Sequence, residues 1–150
     1  MNKDLLYAHL LSIMQEREQE LNRNWQGLME SNQQEGKSSA GDKHETSAAM
    51  VHLELEQMAK QRSEFQRQQE ELLRYRPEDS SSTGKVRMGS LVQTDLGWYY
   101  LITPMGKVGW DDQVVFVLSG LSPLGSSLMG KKVGEEIFLD GKNIPILVVL

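Results

Sequence analysis

The sequence predicts an α+β protein in which an antiparallel coiled-coil hairpin of two long helices precedes a small antiparallel sheet with one short helix. Apolar residues recur at heptad-like spacing through the first 76 residues, and turn formers interrupt this pattern only near residues 36–45. After residue 84, short strand-like runs alternate with glycine and aspartate turns. We therefore predict a hairpin over residues 1–76, a linker over 77–84 and a globular domain over 85–150.

The composition limits the core and the kinds of partner. The chain has 150 residues, 39% of them hydrophobic, and a mean hydropathy of −0.46, which suits a hairpin that buries only a seam. A net charge of −5 argues against a broad electrostatic grip on nucleic acid, and sequence-specific DNA binding is not expected. The chain has no cysteine, which excludes disulfides and thiolate metal sites. No apolar run reaches the roughly 18–20 residues of a membrane span, and the first residues lack a signal-peptide pattern, so we expect a cytoplasmic protein.

Two long helices are predicted on either side of the turn. The first covers residues 3–34, which contain no proline and a single glycine, and the second runs from the turn to about Tyr75, before Pro77. Folding the chain back pairs residues whose numbers add up to about 79. The predicted seam pairs are Leu28 with Val51, Leu21 with Met58, Ile13 with Phe65 and Leu6 with Leu72.

This register also predicts where the arginines, methionines and histidines of the two helices lie. It places Arg17 opposite Arg62, two cations whose heads are expected to reach out to Glu16 or Glu20. Met50 and Met58 are expected to fill the seam. His9 and His52 are expected at exposed or flanking positions.

The turn carries two acids, Asp42 and Glu45, with His44 between them. One interpretation is a capping box, with Asp42 as the N-cap of the second helix and Glu45 as its third residue. The other is a shared divalent cation, because carboxylates three residues apart at a helix start lie close together. Two carboxylates leave most of the coordination sphere of Mg²⁺ open, so this interpretation requires a partner that supplies the remaining ligands. We expect His44 to be a solvated residue and not a general base.

The globular segment is predicted to be a sheet with one short helix. Residues 90–94 and 98–102 form a hairpin, residues 113–118 form an apolar strand, and residues 136–139 and 144–149 form a closing hairpin. Residues 122–131 suit a short helix, with Ser122 as N-cap, Pro123 at its first position and Gly130 at its end. Pro145 cannot donate to a ladder, so its amide is expected on an edge or at a bulge.

Two segments resemble the bacterial Gre transcript-cleavage factors. Residues 40–45 read Ala-Gly-Asp-Lys-His-Glu, which is similar to the Gly-Asp-x-x-Glu neighbourhood at the tip of the Gre hairpin. Residues 121–136 are similar to the carboxy-terminal Ser-Pro-aliphatic-small-x-x-Leu-aliphatic-Gly-Lys segment of that family. Domain order and length also agree, so the resemblance covers essentially the whole chain.

The resemblance implies an FKBP-like carboxy-terminal domain, as a fold and not as a prolyl isomerase. It implies that this domain docks on RNA polymerase while the coiled coil enters the secondary channel. Asp42 and Glu45 would then help to hold a Mg²⁺ ion in the active centre of the polymerase, which cleaves backtracked RNA. The chain itself would be a cofactor of that reaction and not an enzyme.

The sequence departs from the family pattern after the second acid. Residues 45–49 read Glu-Thr-Ser-Ala-Ala, where Gre factors usually continue Glu-Asn-Ala-Glu-Tyr. Two alternatives therefore stand beside cleavage stimulation. One is a regulator that occupies the secondary channel without cleavage, and the other is a plain coiled-coil interaction module.

Overall fold

Two long helices and a six-stranded sheet make up the fold. The computed structural model describes the backbone of residues 1–35, 41–77 and 84–150, and the side chains of 1–34, 45–77 and 84–150. Helix α1 covers Lys3–Glu35 and helix α2 covers Gly41–Arg74, which confirms both predicted helices to within a residue or two. Most of the predicted turn and linker, residues 36–40 and 78–83, lies outside the described residues. None of the described helices is long and apolar enough to cross a membrane.

The sheet follows both helices in the chain, as predicted. Its strands are β1 (Leu91–Thr94), β2 (Gly97–Leu101), β3 (Gly106–Trp110), β4 (Gln113–Leu118), β5 (Glu136–Leu139) and β6 (Lys142–Val149). They lie in the order β3-β4-β2-β1-β6-β5. The short helix α3 covers Pro123–Leu128, between β4 and β5. The predicted α+β class is therefore confirmed.

The sheet differs from the prediction in two respects. Strand β3 was not predicted, and it pairs antiparallel with β4 at one edge of the sheet. Strands β2 and β4 pair in parallel, from Trp98 opposite Val115 to Leu101 opposite Leu118, whereas an entirely antiparallel sheet was expected. The reason is that β3 forms a hairpin with β4 and occupies the edge, so that β4 lies beside β2.

Pro145 lies in β6, which is an interior strand between β1 and β5. Pro145 pairs with Glu136 of β5, and the pairing of β6 with β1 begins only at Ile146. The missing N–H therefore lies beyond the end of β1. The predicted bulge is nearby, because the β1–β6 register shifts between Gln93 and Thr94.

The chain divides into two compact units. The first contains Met1–His9 and Glu70–Leu150, and the second contains Leu10–Gln69. The linker over residues 78–83 is not described, so the predicted domain boundaries stay a prediction. The first unit nevertheless contains the start of α1 and the end of α2 together with the sheet.

The first unit has an apolar cluster beside its sheet and separate contacts at the helix ends. The cluster lies with α3 and includes Val92, Tyr99, Leu101, Leu128 and Ile146. At the helix ends, the Tyr7 hydroxyl donates to the carbonyl oxygen of Leu72 at 2.9 Å, and the Thr103 hydroxyl donates to Glu71 Oε2 at 2.9 Å. The ring of His9 lies 5.2 Å from that of Trp110, so His9 is not simply an exposed or flanking residue.

In the second unit α1 and α2 are antiparallel and share a half-buried seam. Three of the described residues are buried there, Leu10, Met14 and Val51, and Met14 was not predicted. The half-buried residues include six members of the predicted heptads, Leu21, Trp25, Leu28, Leu55, Met58 and Phe65.

Two of the predicted pairs, Leu21 with Met58 and Leu28 with Val51, are not the pairs that line the clefts of the seam. Leu21 lines a cleft with Phe65, and Leu28 lines a cleft with Met58. The numbers of each of these pairs add up to 86, whereas the predicted sum was about 79, so the register of the two helices differs from the predicted one. The predicted placement of Arg17 opposite Arg62 is wrong, since the Arg62 guanidinium lies 5.0 Å from the centre of the Trp25 ring.

Candidate functional site

The two predicted site residues lie in the first turns of α2. Asp42 is the second residue of the helix and Glu45 the fifth, since α2 begins at Gly41. The predicted N-cap position of Asp42 is therefore wrong by two residues, because the helix starts at Gly41, before Asp42. Residues three apart on a helix have Cβ atoms about 5–6 Å apart, so the backbone places both residues on neighbouring positions of one face.

Glu45 is exposed to solvent. The side chains of Asp42, Lys43 and His44 lie outside the described residues, so the roles predicted for Asp42 and His44 stay predictions. Both acids lie at the helix N-terminus, where the helix dipole favours negative charge. A pair of carboxylates is thus compatible with the helix at this position whether or not it binds a cation.

The donor set fits a hard cation only in part. Carboxylate oxygens are suitable ligands for Mg²⁺, which requires six ligands in nearly octahedral geometry. Within the described part of the chain, no group of three His, Asp or Glu side chains is placed to hold a metal ion. Two carboxylates fill only part of a six-ligand coordination sphere, so the other ligands of an ion held by Asp42 and Glu45 would have to come from a partner or from water.

The outer face of α2 near its start is more apolar than expected. Met50 is 63% exposed and Leu53 57% exposed, whereas Met58 is half-buried in the seam. The prediction that Met50 fills the seam is therefore wrong. His52 is exposed, as predicted.

The second sequence motif forms the predicted short helix. Ser122 is the N-cap of α3, and its hydroxyl oxygen accepts a hydrogen bond from the backbone N–H of Gly125 at 3.0 Å. Pro123 occupies the first helical position and Gly130 has a φ of 78°, so both predicted helix signals are confirmed. Gly125 has no room for a side chain, because a Cβ there would meet the Ser119 carbonyl oxygen.

Two exposed apolar side chains of the first unit were not singled out from the sequence. Leu121, just before the N-cap, is 92% exposed, and Phe138 on edge strand β5 is 72% exposed. The strand alternation could have indicated Phe138, because its neighbour Ile137 faces the core and adjacent strand residues face opposite ways.

The chain thus consists of a two-helix hairpin followed by a sheet domain, with two acidic residues at the start of the second helix. Comparison with known proteins gives few matches. No family model matches the sequence, and no curated protein matches it significantly.

Solved structures of one protein, Gfh1, are similar to this chain. Gfh1 of Thermus aquaticus shows 19% identity and a TM-score of 0.34, over 95% of this chain and 90% of that chain. GreA factor homolog 1 (Gfh1) of Thermus thermophilus shows 19% identity and a TM-score of 0.35, over 98% of this chain and 94% of that chain. A third structure, described as the transcription factor Gfh1, shows 16% identity and a TM-score of 0.34, over 95% and 92%.

Proposed function

We propose that this chain is a Gre-type transcription factor that binds RNA polymerase in its secondary channel and stimulates cleavage of backtracked RNA. One observation carries the proposal. Asp42 and Glu45 lie three residues apart in the first turns of a 34-residue helix, and Glu45 is exposed to solvent. The Ser-Pro segment supports it, because it forms the capped helix that the motif predicts.

The proposed role of the carboxylates follows from the chemistry of phosphodiester hydrolysis. In two-metal hydrolysis one Mg²⁺ ion activates the water and another stabilises charge on the leaving oxygen, and the ion held jointly with the polymerase would be the second of the two. Asp42 and Glu45 would increase the occupancy of that ion by adding oxygen ligands, and Glu45 could orient the attacking water by accepting its hydrogen bond. The polymerase remains the enzyme, and this chain acts as its cofactor in the bacterial cytoplasm.

The proposed partner is a protein surface, and contact with RNA is indirect. The net charge of −5 is compatible with this, because the arm does not have to bind the phosphates of a duplex. Membrane attachment and sequence-specific DNA binding are not part of the proposal.

The test is RNA cleavage in a stalled, backtracked elongation complex of the cognate polymerase with Mg²⁺. We expect the wild-type chain to accelerate cleavage and the double variant Asp42→Asn, Glu45→Gln to lose about 100-fold or more of this acceleration, in the range seen when one transition-state contact is removed. The amide replacements keep the size of both side chains and remove only their charge and metal affinity.

A matched control is the double variant Glu56→Gln, Glu64→Gln. Both residues are exposed on α2, outside its first turns, and their replacement removes the same charge. The control should retain full stimulation. Stimulation that survives in the Asp42 and Glu45 variant would contradict the proposed role of the tip.

The departure of residues 46–49 from the Gre pattern favours a second candidate, a regulator that occupies the channel without cleavage. It predicts binding to polymerase and altered transcription, with no effect of Asp42 or Glu45 on RNA length. A plain interaction module predicts no binding to polymerase, which a pull-down with purified polymerase measures directly.

A further inference from the structure

A cleft lies in the seam between the two helices of the second unit. Its volume is about 490 Å³, and it is lined from α1 by Glu18, Leu21 and Trp25 and from α2 by Arg62, Phe65 and Gln69. Tightly packed coiled-coil seams leave little empty space, because each knob fills a hole in the facing helix. The cleft is partly open to solvent, so it is a groove along the seam and not an enclosed void.

The apolar residues of the cleft are only half covered within one chain. Leu21, Trp25 and Phe65 are all half-buried, although they occupy seam positions of their helices. Burial of apolar area is favourable in proportion to the area removed from water, so a partner that covers these side chains would stabilise the unit.

The charges in the cleft are arranged at its two ends. The Arg62 guanidinium lies over the Trp25 ring at 5.0 Å, so its positive charge sits at the Trp25 level of α1. Glu18 lies seven residues earlier on α1, which corresponds to about 10 Å along the helix axis. Both Glu18 and Arg62 are exposed and can reach a partner.

The geometry points to a second copy of this chain as the partner, bound face to face through this cleft with the α1 helices antiparallel. A two-fold axis through the level of Leu21 and Phe65 would exchange the two ends of the cleft. Glu18 of each chain would then face Arg62 of the other, and the apolar residues would meet at the centre. Such an isologous contact is self-complementary, with apolar groups in the middle and charges at the rim.

The other face-to-face two-fold arrangement, with the α1 helices parallel, lacks this complementarity. In that arrangement the Glu18 ends of the two clefts would meet each other, so Glu18 of one chain would not face Arg62 of the other. The charge pattern therefore selects the antiparallel arrangement. This inference uses only the second unit and does not rest on the proposed function, and a dimer formed through this cleft would have to dissociate before the same helices could enter a channel.

The test is charge reversal in the full-length chain, read out by sedimentation equilibrium over a concentration series. The wild type should show a concentration-dependent rise from 17.0 kDa towards twice that mass. Glu18→Arg alone would place cations at both ends of the cleft, and Arg62→Glu alone would place anions there. Each single variant should self-associate at least about tenfold more weakly, because like charges then face each other twice.

An equimolar mixture of the two variants is the decisive measurement. In the mixed pair, the cleft of the Glu18→Arg chain has a cation at each end and meets the cleft of the Arg62→Glu chain, which has an anion at each end. Association should therefore return to the wild-type level or exceed it. Rescue by mixing is not expected if the substitutions merely damage the fold of each chain. Far-UV circular dichroism of each variant checks that the helices are retained.

Matched controls reverse charges on exposed residues outside the cleft. Glu56→Arg and Lys60→Glu change the net charge by the same amounts and should leave self-association unchanged. A wild-type chain that stays at 17.0 kDa at every concentration would overturn the inference, and so would a mixture that associates no better than its components.

Discussion

Two tyrosines of the first unit differ in how their hydroxyl groups are satisfied. The Tyr7 hydroxyl donates to the Leu72 carbonyl oxygen at 2.9 Å, whereas the Tyr100 hydroxyl is buried and has no hydrogen-bond partner among the described residues. A buried polar group without a partner loses its hydration and gains nothing in return. The two hydroxyl groups should therefore contribute to stability with different signs.

Replacement of each tyrosine by phenylalanine measures this difference. Tyr7→Phe should lower the free energy of unfolding by about 1 kcal/mol, because it removes a buried hydrogen bond and leaves the Leu72 carbonyl oxygen without that donor. Tyr100→Phe should leave it within about 0.5 kcal/mol of wild type or raise it. Urea denaturation at pH 7 is the measurement. A large loss in Tyr100→Phe would show that a bound water satisfies this hydroxyl.

Tyr100 also predicts a dependence of stability on alkaline pH. Burial, with smaller contributions from Tyr7 and Asp4, raises the pKa of Tyr100 far above its ordinary value of 10.0. Above pH 10 the unfolded chain releases this proton and the folded chain retains it, so stability falls as pH rises. The stability of wild type relative to Tyr100→Phe should decrease by about 1 kcal/mol between pH 9 and pH 11. The lowered pKa of Lys3 acts in the opposite direction but is common to both chains.

The sequence predicted residue types better than residue partners. It identified Arg62 as the polar member of an apolar heptad but placed it beside Arg17. The structure has the guanidinium on the face of Trp25, a cation–π contact that uses the long side chain and the planar group. How far and in which direction so long a side chain reaches depends on the packing of both helices. Heptad numbering does not specify that packing.

At the scale of elements, α3 is defined by its N-cap. The Ser122 hydroxyl accepts from the Gly125 N–H at 3.0 Å and donates to the Ser119 carbonyl oxygen at 2.7 Å. Ser122→Ala should lower the free energy of unfolding by about 1 kcal/mol, which thermal denaturation would detect as a lower Tm. Ser127→Ala is the matched control. Its hydroxyl donates only to the Leu124 carbonyl oxygen of its own helix, so a loss of less than about 0.5 kcal/mol is expected.

Elements with strong local signals were predicted well. The two long helices, strands β1, β2, β4, β5 and β6, and the capped helix α3 all follow from periodicity, turn residues or a cap. Strand β3 was missed because it contains Gly106, Lys107 and Gly109 and therefore shows no apolar alternation. The parallel pairing of β2 with β4 is a property of topology, and no local pattern in either strand indicates it. At the candidate site, the helix start follows from the sequence but the side-chain arrangement does not.

At the scale of the molecule, the helix ends are part of the compact unit that contains the sheet. Leu6 and Leu72 are completely buried there. Leu6→Ala should therefore destabilise the sheet as well as α1, by about 2–5 kcal/mol. The fluorescence of Trp98 and Trp110, measured in a Trp25→Phe background during urea unfolding, reports on the sheet.

The matched control is Leu5→Ala, one residue earlier on the same helix, where the side chain is 57% exposed. It should change the free energy of unfolding by less than about 0.5 kcal/mol. If Leu6→Ala leaves the tryptophan transition unchanged, then residues 85–150 fold independently of the helices.

The pairing of β1 with β6 affects the order in which the protein can fold during synthesis. Val92 lies opposite Val149, 57 positions later in the chain (149 − 92), and the Lys3 ammonium group donates to the carbonyl oxygen of Leu150 at 3.2 Å. A nascent chain leaving the ribosome can form its helices early, because their hydrogen bonds are local. The β1–β6 ladder must wait until nearly the last residue of this sequence has emerged. Until then one edge of β1 is open to pairing with other nascent chains, which makes this interval the period of greatest risk for aggregation.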